Sequence, residues 1–350
     1  MRKVLPIQTP SVAGYKRYAH FLAIMENDPA SVPWIYNHFL QLHTEKAMEQ
    51  DIHWLSFYMG EYYMFRHTNN PFLYYQEVEV PFMSTIVAMD ELIRRCIDRG
   101  QYVFIECDCF YLTHSGYFEQ THRRSQVLVI GYDPAGEQFI VMDYSSRNNQ
   151  YEAIEMSAAQ LLTAAKSAYE IEANNRSKMI IIEQVKDASY PFNLDLAYHL
   201  LEDYLLGRNT YERFPIFSRP RENAVYGIRV YDELRRHIGL MRANDGKVRS
   251  SLLPYHILWE HKKCLSGLVD YLVTNKQIEE RPELQAQLNA VEKQALLIRN
   301  AMLRYFISDQ NERLIASIDE KLDQLQTSEA AALEQLLAAM RQPVGKKSIR

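Results

Sequence analysis

Apolar side chains recur along this chain at two spacings, and the change from one to the other organises it. Over residues 15–26 (YKRYAHFLAIME), Tyr15, Tyr18, Leu22 and Met25 repeat at helical steps. A second helix is predicted over 34–48, where Pro33 suits the first turn. A third is predicted over 84–99, with Ser84 near its start and Gly100 just past its end. From residue 102 the pattern becomes that of strands: YVFIECDC (102–109), QVLVIGY (126–132) and, after an Asp-Pro-Ala-Gly turn, QFIVMDY (138–144). YEAIEM (151–156) reads as a further strand, Ser157 as the cap of a helix to about residue 166, and KMIIIEQV (178–185) as a last strand. This part is therefore read as α+β, with helices first and an antiparallel sheet after them.

Beyond residue 186 the spacing is helical throughout. PFNLDLAYHLLEDYLLG, NAVYGIRVYDELRRHIGLM and LPYHILWEHKKCLSGLVDYLVTN each place apolar residues three and four apart. Residues 278–340 read as two long amphipathic helices, in which Leu284, Leu288, Val291 and Ile298 answer Leu314, Ile318, Leu322 and Leu325. A turn at 308–311 would fold them into an antiparallel hairpin. The expected organisation is an α+β domain over 1–186, an all-helical domain over 187–341 and a basic tail over 342–350.

Composition narrows the class of function. A chain of 350 residues is long enough for two cores. Its net charge of −5 carries none of the basic excess of a nucleic-acid binder. No apolar run approaches the roughly 20 residues that span a bilayer, and the first residues lack the apolar stretch of a signal peptide. Cys96, Cys107, Cys109 and Cys264 form no CxxC pair or disulfide ladder, as expected of a cytoplasmic protein. Tyrosine is abundant, with 24 residues. The aromatic run EYYMFRHTNNPFLYYQEVEVPF fits core filling better than the lining of a pocket.

Three groups make a papain-type cysteine enzyme. A cysteine at a helix N-terminus is stabilised as thiolate by the dipole and an imidazolium. A histidine at a strand start moves the proton, and a carboxylate or amide on the next strand orients it. The chain carries, in this order, Asp108–Leu112 (DCFYL), Tyr117–His122 (YFEQTH) and VLVIGYD followed by FIVMDYS. With YGIRVYDEL (226–234) and LPYHILWEHKKCLSGLVDYL (253–272), they make the chain resemble the butirosin biosynthesis protein H family, whose N-terminal domain is papain-like and peptidase C39-like. The resemblance implies work on acyl groups bound to carrier proteins in secondary-metabolite (nonribosomal peptide or polyketide) biosynthesis. The ligand it implies is a phosphopantetheine arm, with no cofactor belonging to the protein itself.

Carried over residue by residue, the family's triad is incomplete here. The nucleophile position falls near Gly14–Lys16, where Tyr15 and Lys16 stand in place of a cysteine. The histidine position is Ser125, and Asp143 alone keeps the family's residue type. Loss of either essential partner removes most of such an enzyme's rate. The expectation is a degenerate member that binds an acyl or peptidyl carrier protein, or its thioester, as an accessory factor. The alternative is an active acyltransferase or thioesterase with a non-standard site and a small-molecule amine as acceptor.

Other arrangements are weighed beside it. Cys107 or Cys109 with His122 would make a Cys–His pair, though a cysteine within a strand lacks a helix dipole and buried cysteine commonly acts as a small hydrophobe. Ser11 with His20 would make a hydroxyl nucleophile and base, against ordinary capping by the serine. Asp108, Cys109, His114 and His122 have no zinc-motif spacing, so no metal is expected. Arg123 and Arg124 can meet the phosphate of a phosphopantetheine arm or form a charged strand-entry loop. His256, Glu260 and Lys263 read as a solvated helix face with i,i+4 pairing. No nucleic-acid or membrane partner is expected, and the C-terminal hairpin suits either internal packing or a homodimer.

Overall fold

The computed structural model describes residues 1–45, 55–58, 70–171, 178–213, 223–243, 251–308 and 312–341. In chain order the elements are β1 (Lys3–Val4), α1 (Lys16–Met25), α2 (Val32–His38), β2 (Leu42–Glu45), β3 (Ser56–Phe57), β4 (Leu73–Glu79), α3 (Val80–Ser84), α4 (Met89–Asp98) and β5 (Tyr102–Asp108). They continue as β6 (Arg124–Asp133), β7 (Gln138–Tyr144), β8 (Tyr151–Ser157), α5 (Ala158–Ile171), β9 (Lys178–Gln184), α6 (Leu194–Leu206), β10 (Ala224–Tyr226) and α7 (Val230–Arg242). Three long helices close the chain: α8 (Leu253–Thr274), α9 (Pro282–Ile307) and α10 (Glu312–Met340). The protein is thus α+β, and it divides into two compact units, Met1–Val32 with Tyr62–Tyr190 and Pro33–Glu61 with Pro191–Arg350.

The first unit is built on a seven-stranded antiparallel sheet in the order β4-β9-β5-β6-β7-β8, with β1 pairing β6 beyond the end of β5. The continuous apolar runs of the sequence are its central strands, because a strand covered on both faces has no polar side to alternate with. Val127, Leu128, Val129, Phe139 and Val141 are fully buried. The glycine of VLVIGYD has a steric reason: a Cβ at Gly131 would lie 2.4 Å from the Lys3 carbonyl oxygen where β1 crosses it. Helix α1 packs on β6 and β7, and α5 packs on β5. Ser157 caps α5 as expected, its Oγ accepting from the Gln160 amide at 3.1 Å.

Three predicted helices need correction. The helix expected over 34–48 ends at His38, and Leu42–Glu45 is a strand between β3 and β10. Its pairing partner Ala224–Tyr226 is remote in sequence, so local periodicity could not reveal it. Residues 46–48 lie outside the described residues. The helix expected over 84–99 begins only at Met89; Ser84 ends α3, and Ala88 is extended (φ −63°, ψ 139°) as the N-cap, with Asp90 and Glu91 in the first turn. The segment 224–226, expected within a helix, is strand β10. The aromatic run contributes an edge strand, β4; Phe72 and Leu73 are buried in it while Tyr74 and Phe82 face solvent. Its residues 61–69 are outside the described part, as are the tail 342–350 and residues 309–311 of the predicted turn.

The second unit is helical, with the small sheet β10-β2-β3. Residues 33–61, expected in the first domain, belong to this unit. The paired helices α9 and α10 bury Leu284, Leu288, Val291 and Ile298 with Ile315, Ile318, Leu322 and Leu325; Ile315 takes the inward position expected of Leu314. Gly207 ends α6 in the left-handed region (φ 62°), where the Arg208 amide closes on the Asp203 carbonyl. At the centre of the helices lies a charged group. Lys262 Nζ of α8 lies 2.5 Å from Glu329 Oε1 of α10 and donates to Tyr204 OH at 2.8 Å. Tyr231 OH donates to Glu329 Oε2 at 2.7 Å, and His261 Nε2 meets the Leu40 carbonyl at 2.8 Å. Burial pulls the Lys262 ammonium down to about 8, against the opposing pull of Glu329.

Candidate functional site

Lys16 is the first residue of α1, and Tyr15 before it is extended (φ −114°, ψ 136°) with no capping bond from its side chain. The ring of Tyr15 stands edge-on to Tyr18 at 5.6 Å. A cation at a helix N-terminus opposes the dipole, so Lys16 needs a tertiary partner. Asp143 of β7 supplies it. Lys16 Nζ is 2.5 Å from Asp143 Oδ1 and 3.4 Å from the Gln126 carbonyl oxygen.

Asp143 is 1% exposed and engaged at both oxygens. Oδ1 also accepts from the Tyr144 amide at 2.7 Å, and Oδ2 meets His114 Nε2 at 2.8 Å. Burial pushes this carboxyl up, but the His114 hydrogen bond and the Lys16 charge outweigh it and hold Asp143 below the usual carboxylate range. His114 comes from the long loop between β5 and β6, whose carbonyl at His114 accepts the Ser146 amide at 2.8 Å. The Nδ1 of His114 is buried and without a partner among the described residues.

Cys107, Cys109 and His20 are buried. Ser125 lies in β6 opposite Cys107 of β5, and Cys107 is fully buried. Burial, reinforced by the Asp143 charge, pushes the Cys107 thiol up, the reverse of what a thiolate nucleophile requires. Cys109 is buried too, its amide donating to the Arg123 carbonyl at 2.8 Å. His20 is buried and meets Tyr151 OH through Nδ1 at 2.7 Å; burial pulls it down to about 3, so it is neutral. Ser11 donates to Glu26 Oε1 at 2.8 Å from both its amide and its hydroxyl, so Ser11 and His20 have different partners.

A second acid–histidine pair sits at the end of β5. Asp108 is fully buried. Its Oδ2 is 2.6 Å from His122 Nδ1 and accepts from Ser167 Oγ at 2.7 Å. Its Oδ1 accepts from the amides of Phe110 (3.1 Å) and Arg123 (3.0 Å). Burial pushes Asp108 up, and these donors, His122 first, reverse it and hold the carboxyl below its ordinary value. Arg123 Nη1 is 2.5 Å from Tyr117 OH with its guanidinium over that ring, while Arg124 pairs with Glu106 at 2.8 Å.

The four residues weighed as metal ligands are therefore divided, His114 to Asp143 and His122 to Asp108. Among the described residues no three histidine, cysteine or acidic side chains converge to hold a metal ion. No described helix is long and apolar enough to cross a membrane. In the helical unit His256 Nε2 lies 3.2 Å from Glu260, Arg299 donates to His256 Nδ1 at 3.0 Å, and Lys263 Nζ stands 5.9 Å from the centre of the Trp259 ring.

Sequence reasoning missed the contacts of Lys16 and His114 with Asp143, which join residues far apart in the chain. It also missed the buried pair of Lys262 and Glu329. No protein-family model matches the chain, and no curated protein matches it.

Proposed function

We propose that this protein is an accessory factor of carrier-protein-dependent biosynthesis, a papain-like chain whose ordinary cysteine chemistry is closed. The observation that carries the reading is the Lys16–Asp143 contact at 2.5 Å. A cation stands at the helix start where the family's nucleophile belongs, and the carboxylate that would orient a histidine is occupied by it. An acyl or peptidyl group carried on a phosphopantetheine arm is the ligand the resemblance supplies. In this reading the carrier protein is bound without turnover beside Tyr15 and Lys16, with Arg123 and Arg124 toward the phosphate of its arm.

The test is to incubate an acyl-loaded carrier protein with this protein and a pool of amines. Intact mass and size-exclusion elution are then followed. Co-elution at Asp143→Asn and wild type alike, with no transfer to an amine that depends on Asp143, supports the reading. Absence of association overturns it. So does transfer to an amine that stops when Asp143 is replaced.

A further inference from the structure

The Asp108–His122 pair has the parts of a working base, and none of them is used by the reading above. Asp108 is rigid: it is fully buried and holds Ser167 Oγ, two backbone amides and His122. With a carboxylate on Nδ1, that nitrogen carries the proton and the lone pair lies on Nε2. The side chain of His122 is 54% exposed, and Nε2 has no partner among the described residues. The ring is stacked on Phe110 at 4.2 Å with planes 16° apart, and Tyr111 lies 6.1 Å away. The imidazole is thereby held in one orientation and one tautomer with its basic nitrogen toward solvent, the arrangement that positions a base or nucleophile.

The geometry points to His122 as an imidazole nucleophile for activated acyl groups, thioesters above all, at a site separate from Lys16 and Asp143. Nε2 attacks the carbonyl carbon; the C–N bond forms, the C–S bond breaks, and the departing thiolate takes a proton from water. The resulting acyl-imidazolium is stabilised by the Asp108 carboxylate against Nδ1–H. Water then attacks it, the C–N bond breaks, and the carboxylate product and two protons leave with His122 restored, one of the protons neutralising the hydroxide left when the thiolate was protonated. The net reaction is thioester plus water to carboxylate, thiol and a proton. This activity goes beyond the carrier-protein reading and does not depend on it.

The experiment uses the full chain with two small probes, S-acetyl-N-acetylcysteamine and p-nitrophenyl acetate, so carrier binding plays no part in the outcome. His122→Asn keeps a donor toward Asp108 and so keeps the loop in place; circular dichroism and thermal melting check this. His199→Asn, on a half-buried histidine of the other unit, is the control. The expected result is hydrolysis at least about tenfold faster than by equimolar free imidazole, a modest share of what an oriented base supplies. His122→Asn falls to the free-imidazole level, and His199→Asn retains the full rate. A wild-type rate no greater than that of imidazole overturns the proposal. A folded His122→Asn protein as fast as wild type overturns it equally. Thioester hydrolysis without carrier co-elution would keep this inference and end the carrier-protein reading.

Discussion

Lys16 Nζ lies 2.5 Å from Asp143 Oδ1, a contact between the first residue of a helix and the penultimate residue of β7, a strand on which that helix packs. The helix start is electropositive and so is the side chain, and only the buried carboxylate makes the arrangement favourable. His114 completes it from the far side of the same carboxylate at 2.8 Å.

Replacing Lys16 by Met should strand Asp143 with one charged partner fewer. Removing one member of a fully buried pair costs about 3–5 kcal/mol; with the Lys16 side chain 25% exposed, a loss of about 2–3 kcal/mol is expected. Adding Asp143→Asn should recover part of it, because the uncompensated charge is then gone. Urea unfolding of the two singles and the double gives the coupling; strictly additive losses would mean that the pair does not interact.

Acid should unfold the first unit through its two buried carboxylates. Asp143 and Asp108 are both held below the ordinary carboxylate range in the fold. Their stabilisation is complete above the unfolded value of about 3.9 and is lost as pH falls through the lower folded values. Stability should therefore hold from neutrality to about pH 4 and fall steeply below it. Asp143→Asn, already without one of these carboxylates, should show a shallower acid slope in urea titrations from pH 7 to 2. An unchanged slope would remove Asp143 from the transition.

The thiols should be silent in the folded protein. Cys96, Cys107, Cys109 and Cys264 are all buried, and burial pushes Cys96 and Cys107 up. Iodoacetamide at neutral pH should label none of them in native protein within an hour and all four in guanidinium, as read by intact mass. Rapid native labelling at Cys107 or Cys109 would reinstate the Cys–His pair with His122.

The helical unit should be sensitive to Glu329. Glu329→Gln leaves the fully buried Lys262 ammonium without its carboxylate, which lies 2.5 Å away; a loss of about 3–5 kcal/mol is expected. Lys262→Met with Glu329→Leu should be less damaging than either single change, because no charge is left buried. Thermal melting of the three variants decides it; a double as unstable as the sum of the singles would refute the coupling.

The strands from Tyr102 to Tyr144 were legible because continuous apolar runs bounded by turn residues have few other uses. Helices α8 to α10 were legible for the same reason at helical spacing. Segment 42–45 misled because one of its strand partners, residues 224–226, lies outside any local window. In HILWEHKK, read as a solvated helix face, Glu260 is buried along with His261 and Lys262. A lysine is written into a core only where several helices bring a carboxylate and hydroxyls to it, and no spacing records that.

The sequence by itself determined the class α+β, the antiparallel strands and the absence of a cysteine near Lys16, since these rest on residue identity and local periodicity. Tertiary structure alone decided which donors satisfy the buried carboxylates. It put Lys16 and His114 on Asp143, and His122 with Ser167 on Asp108. The physical reason is that a buried carboxylate must be satisfied by whichever donors the fold brings within about 3 Å, and the chain order of those donors leaves no trace in the pattern of apolar and polar positions.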